Sequence, residues 1–392
     1  MKKIKLQLYS AIVLALSASI AVAQPANQYF MESLPQSFYL NPAKKQESSF
    51  HFDYFLPMSI QASSSSFTFS DIVTDSILNL GNIVGDLDEN NSLSFIATKH
   101  LANFGFTVKR KNYFSYNASY KFVADVNYSK DFMSVLTEGN APGGVISASP
   151  VNLDGTRYNI MAYIEHGFGY SRQVNEKLII GGRLKFLQGG FNANGNFDGV
   201  SIETAQDLSS MTINSSLALK SANFPDSASI EDKTIVNSGN SGFALDLGGS
   251  YEVNEKLTLF GSLLDLGSIT WGSDSAKISS NNGVSFVFDG LSTSQLTDTT
   301  KLNNFTDSVS DLFKLKDSIG AYTVNLPTRF FVGGTYKFSK VLSANALYSG
   351  RIANSKLTST IVVGGSWKPS RWFESQLSYT MIGSSSHIGL GA

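Results

Sequence analysis

The sequence predicts an all-β protein, an antiparallel transmembrane β-barrel of about 12–14 strands. Three observations predict this fold: an N-terminal export signal, long segments in which apolar and polar residues alternate with a period of two, and repeated hairpins in which an aromatic residue precedes a short polar turn. The chain has 392 residues, of which 42% are hydrophobic and 16% charged, so it carries enough apolar surface to fold.

The export signal occupies residues 1–23. Lys2, Lys3 and Lys5 precede an apolar stretch over 6–22, and alanines at 21 and 23 form a signal peptidase site before Gln24. A membrane anchor is the less favoured alternative, because serines interrupt the stretch and a cleavage site ends it. After Gln24 no apolar run reaches the roughly 20 residues of a spanning helix, so insertion into a membrane would use strands.

The segment 157–172 shows the alternation most clearly. Tyr158, Ile160 and Phe168 lie on one face of this predicted strand, and Asn159 and Glu165 lie on the other. A soluble sandwich also alternates, but these segments exceed the usual roughly five or six residues and suit a tilted crossing of a bilayer. The same pattern recurs over 112–125, 243–252 and 329–338.

Four hairpins share one layout: a small residue, an aromatic residue, a short polar turn and an apolar residue. Two turns are nearly identical, Val174-Asn175-Glu176-Lys177-Leu178 and Val253-Asn254-Glu255-Lys256-Leu257, and the segments 335–341 and 366–372 follow the same plan. In a barrel, such rings form a girdle beside the short periplasmic turns. In a soluble protein they would cover the edge of a core. We favour the girdle.

The connections at the opposite end are long and polar, over 129–156 and the later loops 192–239 and 272–320. Within these or earlier stretches, apolar spacing predicts short helices in extracellular loops at 71–87, 130–136 and 303–316. They would either cap the mouth of the barrel or line an entrance for a hydrophobic ligand, and we favour the cap.

The strand plan contains about eleven strands and the beginning of a twelfth. Such barrels usually close with an even number of strands and often end on an aromatic residue, whereas this sequence ends in Gly389-Leu390-Gly391-Ala392, so we expect it to lack its last strands. The predicted positions are 48–69, 91–110, 112–128, 157–172, 177–191, 240–253, 256–271, 321–338, 341–352, 356–368, 372–383 and from 386 onward.

Several motifs resemble an uncharacterised family of Bacteroidota outer-membrane β-barrels, a domain of unknown function. None of the motifs is catalytic, so the resemblance implies a barrel in the bacterial outer membrane without implying an activity. The motifs are Pro35-Gln36-Ser37, Leu40-Asn41-Pro42-Ala43, Phe104-Gly105-Phe106, Asn112-Tyr113-Phe114, Gly169-Tyr170-Ser171, Gly182-Arg183-Leu184-Lys185, Leu263-Leu264-Asp265-Leu266-Gly267 and Leu326-Pro327-Thr328.

The element Asn41-Pro42-Ala43 is also similar, more remotely, to the N-terminal segment of long-chain fatty-acid porins and of the type IX secretion shuttle barrel. This resemblance implies that residues 24–48 form a hatch-like segment in the lumen, ahead of a barrel over 49–392. The alternative is a simple turn before the first strand, because Asn-Pro pairs initiate turns in any fold.

Enzyme chemistry is not predicted. The four histidines, His51, His100, His166 and His387, have no Gly-x-Ser-x-Gly elbow or His-x-x-x-His spacing around them. The acidic loop 85–90 lacks the glycine and the final glutamate of a calcium loop, and cysteine is absent. We therefore expect no catalytic residue, no cofactor and no metal.

Charged residues at lumen-facing strand positions are the remaining candidate site. They would either line a selective pathway or form a network that fills the interior, and we favour the network. The candidates are Lys121, Arg157, Glu165, Arg183, Lys185, Asp246 and Arg329.

Two functions remain open: a barrel that passes hydrophobic or small solutes across the outer membrane, and a non-transport barrel that serves as a scaffold or binding partner for surface or secreted proteins. Either would contact outer-membrane lipids and the barrel assembly machinery, and transport adds a hydrophobic small molecule as a partner. With 30 basic and 31 acidic residues the formal charge is −1, so nucleic acid is not an expected partner. The sequence predicts no particular oligomeric state.

Overall fold

The computed structural model describes most of the chain after residue 28. Residues 1–23, the predicted signal peptide, and residues 303–315 of one predicted helix lie outside the described residues. The described ranges are 29–31, 35–44, 49–54, 58–67, 73–74, 77–78, 84–139, 150–207, 209–223, 239–272, 276–281, 283–288, 316–370, 373–382 and 385–391.

Strands dominate these ranges. A 3-10 helix spans Pro35–Tyr39 and an α-helix, α1, spans Lys130–Glu138. The strands are β1 (Phe50–Tyr54), β2 (Met58–Ser64), β3 (Val73–Thr74), β4 (Ile77–Leu78), β5 (Asn90–Val108), β6 (Asn112–Ser129), β7 (Val151–Asn152), β8 (Arg157–Gln173), β9 (Leu178–Asn196), β10 (Ser201–Thr204), β11 (Met211–Ser215), β12 (Ala218–Ala222), β13 (Ser241–Glu252), β14 (Leu257–Trp271), β15 (Ala276–Ser280), β16 (Val284–Phe288), β17 (Lys316–Ile319), β18 (Tyr322–Asn325), β19 (Thr328–Lys337), β20 (Leu342–Ala353), β21 (Lys356–Ser370), β22 (Phe373–Ile382) and β23 (Ser385–Gly391).

The long strands form one continuous antiparallel wall. Its order is β1 and β2 in line, then β5, β6, β8, β9, β13, β14, β18 and β19 in line, and then β20, β21, β22 and β23. These positions coincide with the eleven predicted strands and the start of the twelfth. The predicted all-β antiparallel fold is confirmed.

The wall curls until strands far apart in its order touch. Arg351 on β20 forms a two-pronged ion pair with Asp125 on β6, with nitrogen–oxygen distances of 2.6 and 2.7 Å. At the next level, Lys356 donates a hydrogen bond to the carbonyl oxygen of Asn90 at the start of β5. In the described residues β23 does not pair with β1 or β2, so the barrel is open along that seam.

The repeated short turns have a common physical cause. The side-chain oxygen of Asn175 accepts hydrogen bonds from the backbone amides of Lys177 and Leu178, both at 2.8 Å. Asn254 does the same in the next hairpin of this kind, and Ser339 takes that place in a third. A short polar side chain that caps its own turn explains why these sequences reverse the chain so tightly.

The predicted helices are partly wrong. α1 is present where 130–136 was predicted, with Ser129 as its N-cap. In the segment 71–87, however, β3 pairs with β4, and residues 84–86 form one 3-10 turn. The β-branched residues of β3 and β4 favour extended backbone and outweigh the apolar spacing. Lys316, the last residue of the third predicted helix, begins β17.

The long connections contain strands that the sequence did not predict. β7, β10, β11 and β16 form a separate four-stranded sheet. β12 pairs with the last five residues of β9, and β15 and β17 continue the wall from β12. α1 packs on the small sheet through Phe132 and Val135. No helix in the described ranges is long and apolar enough to cross a membrane.

Candidate functional site

The wall is apolar outside and polar inside, the reverse of a soluble protein. On β9, Leu184 is 56% exposed, whereas its neighbours Arg183 and Lys185 are 2% and 0% exposed. Phe168 on β8 and Phe243 on β13 also project outward and are about as exposed as Leu184. Large apolar side chains exposed all along a sheet face are stable in lipid and unstable in water. The barrel therefore spans a membrane.

Charged side chains meet in the middle of the lumen, the space that the wall encloses. Lys185 is at their centre: its ammonium nitrogen lies 2.5 Å from Asp265 Oδ1, 2.8 Å from Asp246 Oδ1 and 3.4 Å from Glu165 Oε2. We call this group the charge cluster. Its members are Lys121, Glu165, Arg183, Lys185, Asp246, Asp265 and Arg329.

Each outer cation of the cluster donates hydrogen bonds to one carboxylate. Arg183 donates through Nε and Nη2 to Asp246, at 2.8 and 2.5 Å. Arg329 donates in the same way to Asp265 at 2.8 Å, and Lys121 donates to Glu165 at 2.7 Å. A buried carboxylate that loses the cation bound to it is strongly destabilised, so these pairs hold the strands of the wall in place.

The structure brings together six of the seven predicted charged residues. Arg157 is the exception, because it lies at the loop end of β8 and pairs with Asp198, with both side chains about 40% exposed. Asp265 is the member that the sequence reasoning missed. The available signal was a single carboxylate inside the apolar run 263–266.

A β-bulge places Asp265 in the lumen. Leu245 pairs with Leu266, but Leu247 pairs with Leu263, so two residues on β14 oppose Asp246 alone. Asp265 has a φ of 61°, and the bulge turns it inward beside its buried neighbour in the chain. Its backbone amide donates to Asp246 Oδ1 at 2.7 Å, which fixes the two carboxylates side by side around the central lysine.

The N-terminal segment, residues 24–48, is described at 29–31 and 35–44, and these residues lie against the inner face of the wall. The wall has glycine at the contact positions. A Cβ atom at Gly181 would overlap the carbonyl of Pro42, and one at Gly169 would lie 2.8 Å from the ring of Phe38. Glycine therefore lets the segment approach the strand backbone directly.

A few hydrogen bonds hold the segment. Asn41 Nδ2 donates to the hydroxyl of Tyr29 at 3.1 Å and to the carbonyl of Gly249 at 3.4 Å. Ser262 Oγ donates to the carbonyl of Leu40 at 2.6 Å. Asn41 Oδ1 also accepts from the amide of Ala43 at 2.8 Å, so the Asn-Pro-Ala motif forms a local turn and at the same time contacts the wall.

An apolar cluster anchors the same segment on β14 and on the strands that follow it in the wall, β19, β20 and β21. Burial raises the pKa of Tyr29 to about 12, so this ring enters the cluster with its hydroxyl protonated. The ring centroid of Tyr29 lies 4.9 Å from that of Phe260 and 5.3 Å from that of Phe331. The buried members are Tyr29, Phe30, Leu40, Leu264, Phe331, Leu347 and Val362.

Tyr39 links the N-terminal segment to the charge cluster. Its carbonyl oxygen accepts a hydrogen bond from Arg183 Nη2 at 2.9 Å, and its ring stacks on His100 with centroids 4.4 Å apart and planes within 9°. The guanidinium of Arg183 also lies 5.6 Å from the Tyr39 ring. Any movement of this part of the segment must therefore disturb the surroundings of Arg183.

Part of the lumen toward the long loops is packed with apolar side chains. They come from β6, β8, β9, β12, β13, β14, β15 and β18 and from Leu326, which follows β18. The buried members are Val123, Met161, Tyr163, Leu187, Ala222, Ala244, Ile269, Trp271, Ala276, Tyr322, Val324 and Leu326.

Described residues border three of the cavities in the lumen. A mouth cavity of about 330 Å³ lies by the 353–355 turn, beside Asp125 and Pro327. A middle cavity of about 150 Å³ separates β2 and β5 from β20 and β21, and Arg351 borders it. A chamber of about 80 Å³ adjoins the charge cluster, and Tyr39 and Leu40 of the N-terminal segment form part of its wall.

The histidines are paired with neighbours and not grouped. His51 lies 3.3 Å from the Tyr113 hydroxyl, and His100 Nδ1 lies 3.0 Å from Ser119 Oγ. His166 contacts the Tyr116 hydroxyl at 2.9 Å and Gln188 at 3.1 Å. His387 pairs with Thr380 in the sheet, and its side chain lies outside the described side chains. Among the described residues, no three His, Cys, Asp or Glu side chains are placed to hold a metal ion.

Comparisons with known proteins place the chain in a family. Residues 42–392 match a family described as "Family of unknown function (DUF5723)". No curated protein matches in sequence. The match confirms the resemblance to a domain of unknown function, and the Bacteroidota origin and the likeness to the secretion shuttle barrel stay predictions.

Similar solved structures have low sequence identity to this chain. The toluene transporter TodX of Pseudomonas putida is 11% identical, with 86% of this chain and 74% of that chain covered and a TM-score of 0.37. A FadL homologue of Pseudomonas aeruginosa is 11% identical, with 93% and 79% covered and a TM-score of 0.40. The RagAB peptide transporter is 10% identical, with 78% and 38% covered and a TM-score of 0.27. At TM-scores this low, the architecture and any solute must be argued from this chain's own residues.

Proposed function

This chain belongs to the DUF5723 family of unknown function, and we propose that it is an outer-membrane barrel that passes hydrophobic or small solutes, with its N-terminal segment as a displaceable hatch. The export signal and the lipid-facing outer wall support the outer membrane as its location, because exported barrels with short turns at one end and long loops at the other insert there. Two features of the lumen support transport.

The single observation that carries the proposal is the way the N-terminal segment is held. It lies inside the wall on glycines and is attached by a few hydrogen bonds, of which those of Asn41 and Leu40 are examples. Two of these bonds end on backbone carbonyl oxygens, so water can replace them with little net loss. The described residues of the segment add no strand to the wall, so the segment can leave the lumen without breaking strand pairs. Its release also exposes the buried side chains of Tyr29, Phe30 and Leu40, which makes the seated state the resting one.

The cavities supply the second feature. The middle cavity and the chamber both border Arg351 and Arg329, and the chamber borders the N-terminal segment. Displacement of Tyr39 and Leu40 would open the chamber toward the end of the barrel that carries the short turns. A solute would then cross from the mouth cavity through the middle cavity and the chamber.

A reversible cross-link tests the hatch. Leu40→Cys with Ser262→Cys joins the segment to β14, at positions where Ser262 Oγ lies 2.6 Å from the Leu40 carbonyl, and the chain has no other cysteine. Liposomes that contain the oxidised protein are expected not to swell in solutions of small neutral solutes, and addition of a reductant is expected to restore swelling. Each single-cysteine variant serves as a control that should not respond to reductant.

A non-transport barrel is the second candidate. It is favoured by the apolar side chains packed toward the long loops and by the charge cluster, which together fill much of the lumen. In this function the four-stranded sheet of β7, β10, β11 and β16 would present a surface to a secreted or surface protein. Liposomes that do not swell under reducing conditions, together with co-purification of a protein that is lost when residues 201–215 are replaced, would support this candidate and reject transport.

A further inference from the structure

A row of polar side chains crosses four neighbouring strands beside the mouth cavity. Asp125 on β6 pairs with Asn159 on β8, and Asn159 pairs with Asn194 on β9. Asn194 in turn pairs with Lys220 on β12. Directly paired residues point to the same face of a sheet, and neighbouring strands lie roughly 4.8 Å apart. The four side chains therefore stand side by side at one level, and all four residues border the cavity.

The two charged ends of the row need no counter-ion from a ligand. Both carboxylate oxygens of Asp125 accept hydrogen bonds from Arg351. The ammonium of Lys220 lies 5.8 Å from the ring centroid of Tyr322, which is within the range of a cation–π contact, and the Lys220 side chain is only half-buried. The middle of the row consists of two neutral amides. The row therefore suits a ligand that is polar and uncharged.

Asn194 is the amide of the row that is free to bind such a ligand. Its side chain is half-buried and forms no hydrogen bond among the described residues. Asn159 beside it is held in place, because its side-chain oxygen accepts from Asn192 at 2.9 Å. A side-chain amide donates and accepts at adjacent atoms, so it can pair with two neighbouring hydroxyl groups. The ammonium of Lys220 can donate to a further hydroxyl oxygen.

The cavity is large enough for sugar rings, and its rim is fixed. Its volume of about 330 Å³ lies at the lower end of the roughly 300–1,000 Å³ of small-molecule sites, which limits the ligand to one or two rings. Asn354 Nδ2 donates to the carbonyl oxygen of Asp125 at 3.3 Å and so ties the 353–355 turn to β6. A rim that is already ordered lowers the entropic cost of binding. The C–H face of a ring can pack on an apolar part of the border, formed by Val324, Leu326 and Pro327.

We propose that the mouth cavity binds a neutral saccharide of one or two rings, with two adjacent hydroxyl groups on the amide of Asn194 and a third on Lys220. The site goes beyond the proposed function, because binding at the mouth requires no passage through the barrel. The middle cavity and the chamber, at about 150 and 80 Å³, are smaller than the mouth cavity.

Calorimetric titration of the chain of residues 24–392 in detergent micelles tests the site, with glucose, galactose, N-acetylglucosamine and maltose as probes. The matched ligands are cyclohexanol, a ring with one hydroxyl group, and inorganic phosphate, an anion without a ring. Asn194→Leu removes the amide and Lys220→Met removes the ammonium, and both keep most of the side-chain volume. The controls are Asn112→Leu, at the short-turn end of β6, and Lys277→Met, an exposed lysine that is not on the described border of the cavity.

At least one of the four sugars is expected to bind saturably, roughly tenfold or more tighter than cyclohexanol or phosphate. Asn194→Leu is expected to raise the Kd for that sugar roughly tenfold, because two hydrogen bonds are lost, and Lys220→Met roughly threefold. The two control variants are expected to leave the Kd unchanged. No saturable binding of any of the four sugars, equal binding of cyclohexanol, tighter binding of phosphate, or an unchanged Kd in Asn194→Leu would each overturn the proposal.

The test separates the site from transport. Sugar binding without passage of any solute in liposomes would reject the proposed function and keep the site. Passage of solutes without sugar binding would reject the site and keep the proposed function.

Discussion

Alanine at Gly248 should displace the N-terminal segment from the wall. A Cβ atom at this position would overlap Asn41 Oδ1 and lie 2.9 Å from Pro42 Cδ, whereas 3.4 Å is the start of ordinary contact. The adjacent Gly249 faces the other way, and a Cβ atom there would meet nothing within 4 Å. Gly249→Ala is therefore a matched control on the same strand.

The wall at this point cannot yield easily, because β13 is paired on both sides with β9 and β14. The segment must shift by about half an ångström or more, and forcing an extra methyl group into packed structure costs roughly 1–3 kcal/mol. The ratio of seated to displaced segment should fall by a factor of roughly five to 150.

Labelling of a single cysteine measures this ratio. Ala43 is fully buried and the chain has no cysteine, so Ala43→Cys reports exposure of the segment to maleimide in reconstituted membranes. Gly248→Ala should raise the labelling rate about fivefold or more, and Gly249→Ala should leave it at the parental value. Equal rates in the two glycine variants would refute the reasoning.

Three further predictions concern the ion pairs. Lys185→Met should lower the unfolding free energy in urea by about 3–5 kcal/mol, because three carboxylates lose their central cation. Arg157→Met breaks an exposed pair and should change the unfolding free energy by less than about 1 kcal/mol. Similar losses in the two variants would contradict a stabilising role for the charge cluster. Arg351→Met should increase conductance in protein that lacks residues 24–48, because its pair with Asp125 ties opposite walls together, and an unchanged conductance would argue against this. Burial opposes ionisation of Asp198, but hydrogen bonds from the Gly155 amide and Arg157 outweigh burial and lower the pKa of Asp198. The stabilisation of the loop by the Asp198 carboxylate is therefore complete above the ordinary aspartate pKa of about 4, and it is lost as the pH falls through the lowered pKa. Protease cleavage of the 196–201 loop should therefore rise in acid in the parent and be independent of pH in Asp198→Asn.

The strands of the wall could be predicted because a barrel in lipid has a simple pattern. Leu184 must face lipid and Arg183 and Lys185 the lumen, so alternation alone locates β9 and its neighbours. The short turns could be predicted as well, because Asn175 and Asn254 each accept hydrogen bonds from backbone amides within their own turn. The strands depend on the alternation of apolar and polar residues, and the turns depend on residues that are close in sequence, so both can be predicted without knowledge of the fold.

The rest depended on contacts that are distant in sequence. β10 and β11 pair with each other and with β7 and β16, and polar stretches of this kind carry no strand pattern of their own. Asp265 enters the lumen only because of a bulge, which alternation cannot anticipate. The contact between Asn41 and the wall could not be predicted either. A glycine such as Gly248 permits another segment to lie against the strand backbone, but the sequence does not say which segment does so.

The central claim is that the N-terminal segment closes a pathway through the barrel. Conductance across planar bilayers, compared between a chain of residues 24–392 and a chain of residues 49–392, tests this claim most directly. We predict brief or no openings for the full chain and a sustained conductance for the deletion variant, because removal of Tyr39 and Leu40 opens the chamber. A deletion variant that shows the same heat-dependent shift in gel mobility as the full chain, and is therefore folded, but conducts no ions would contradict the account.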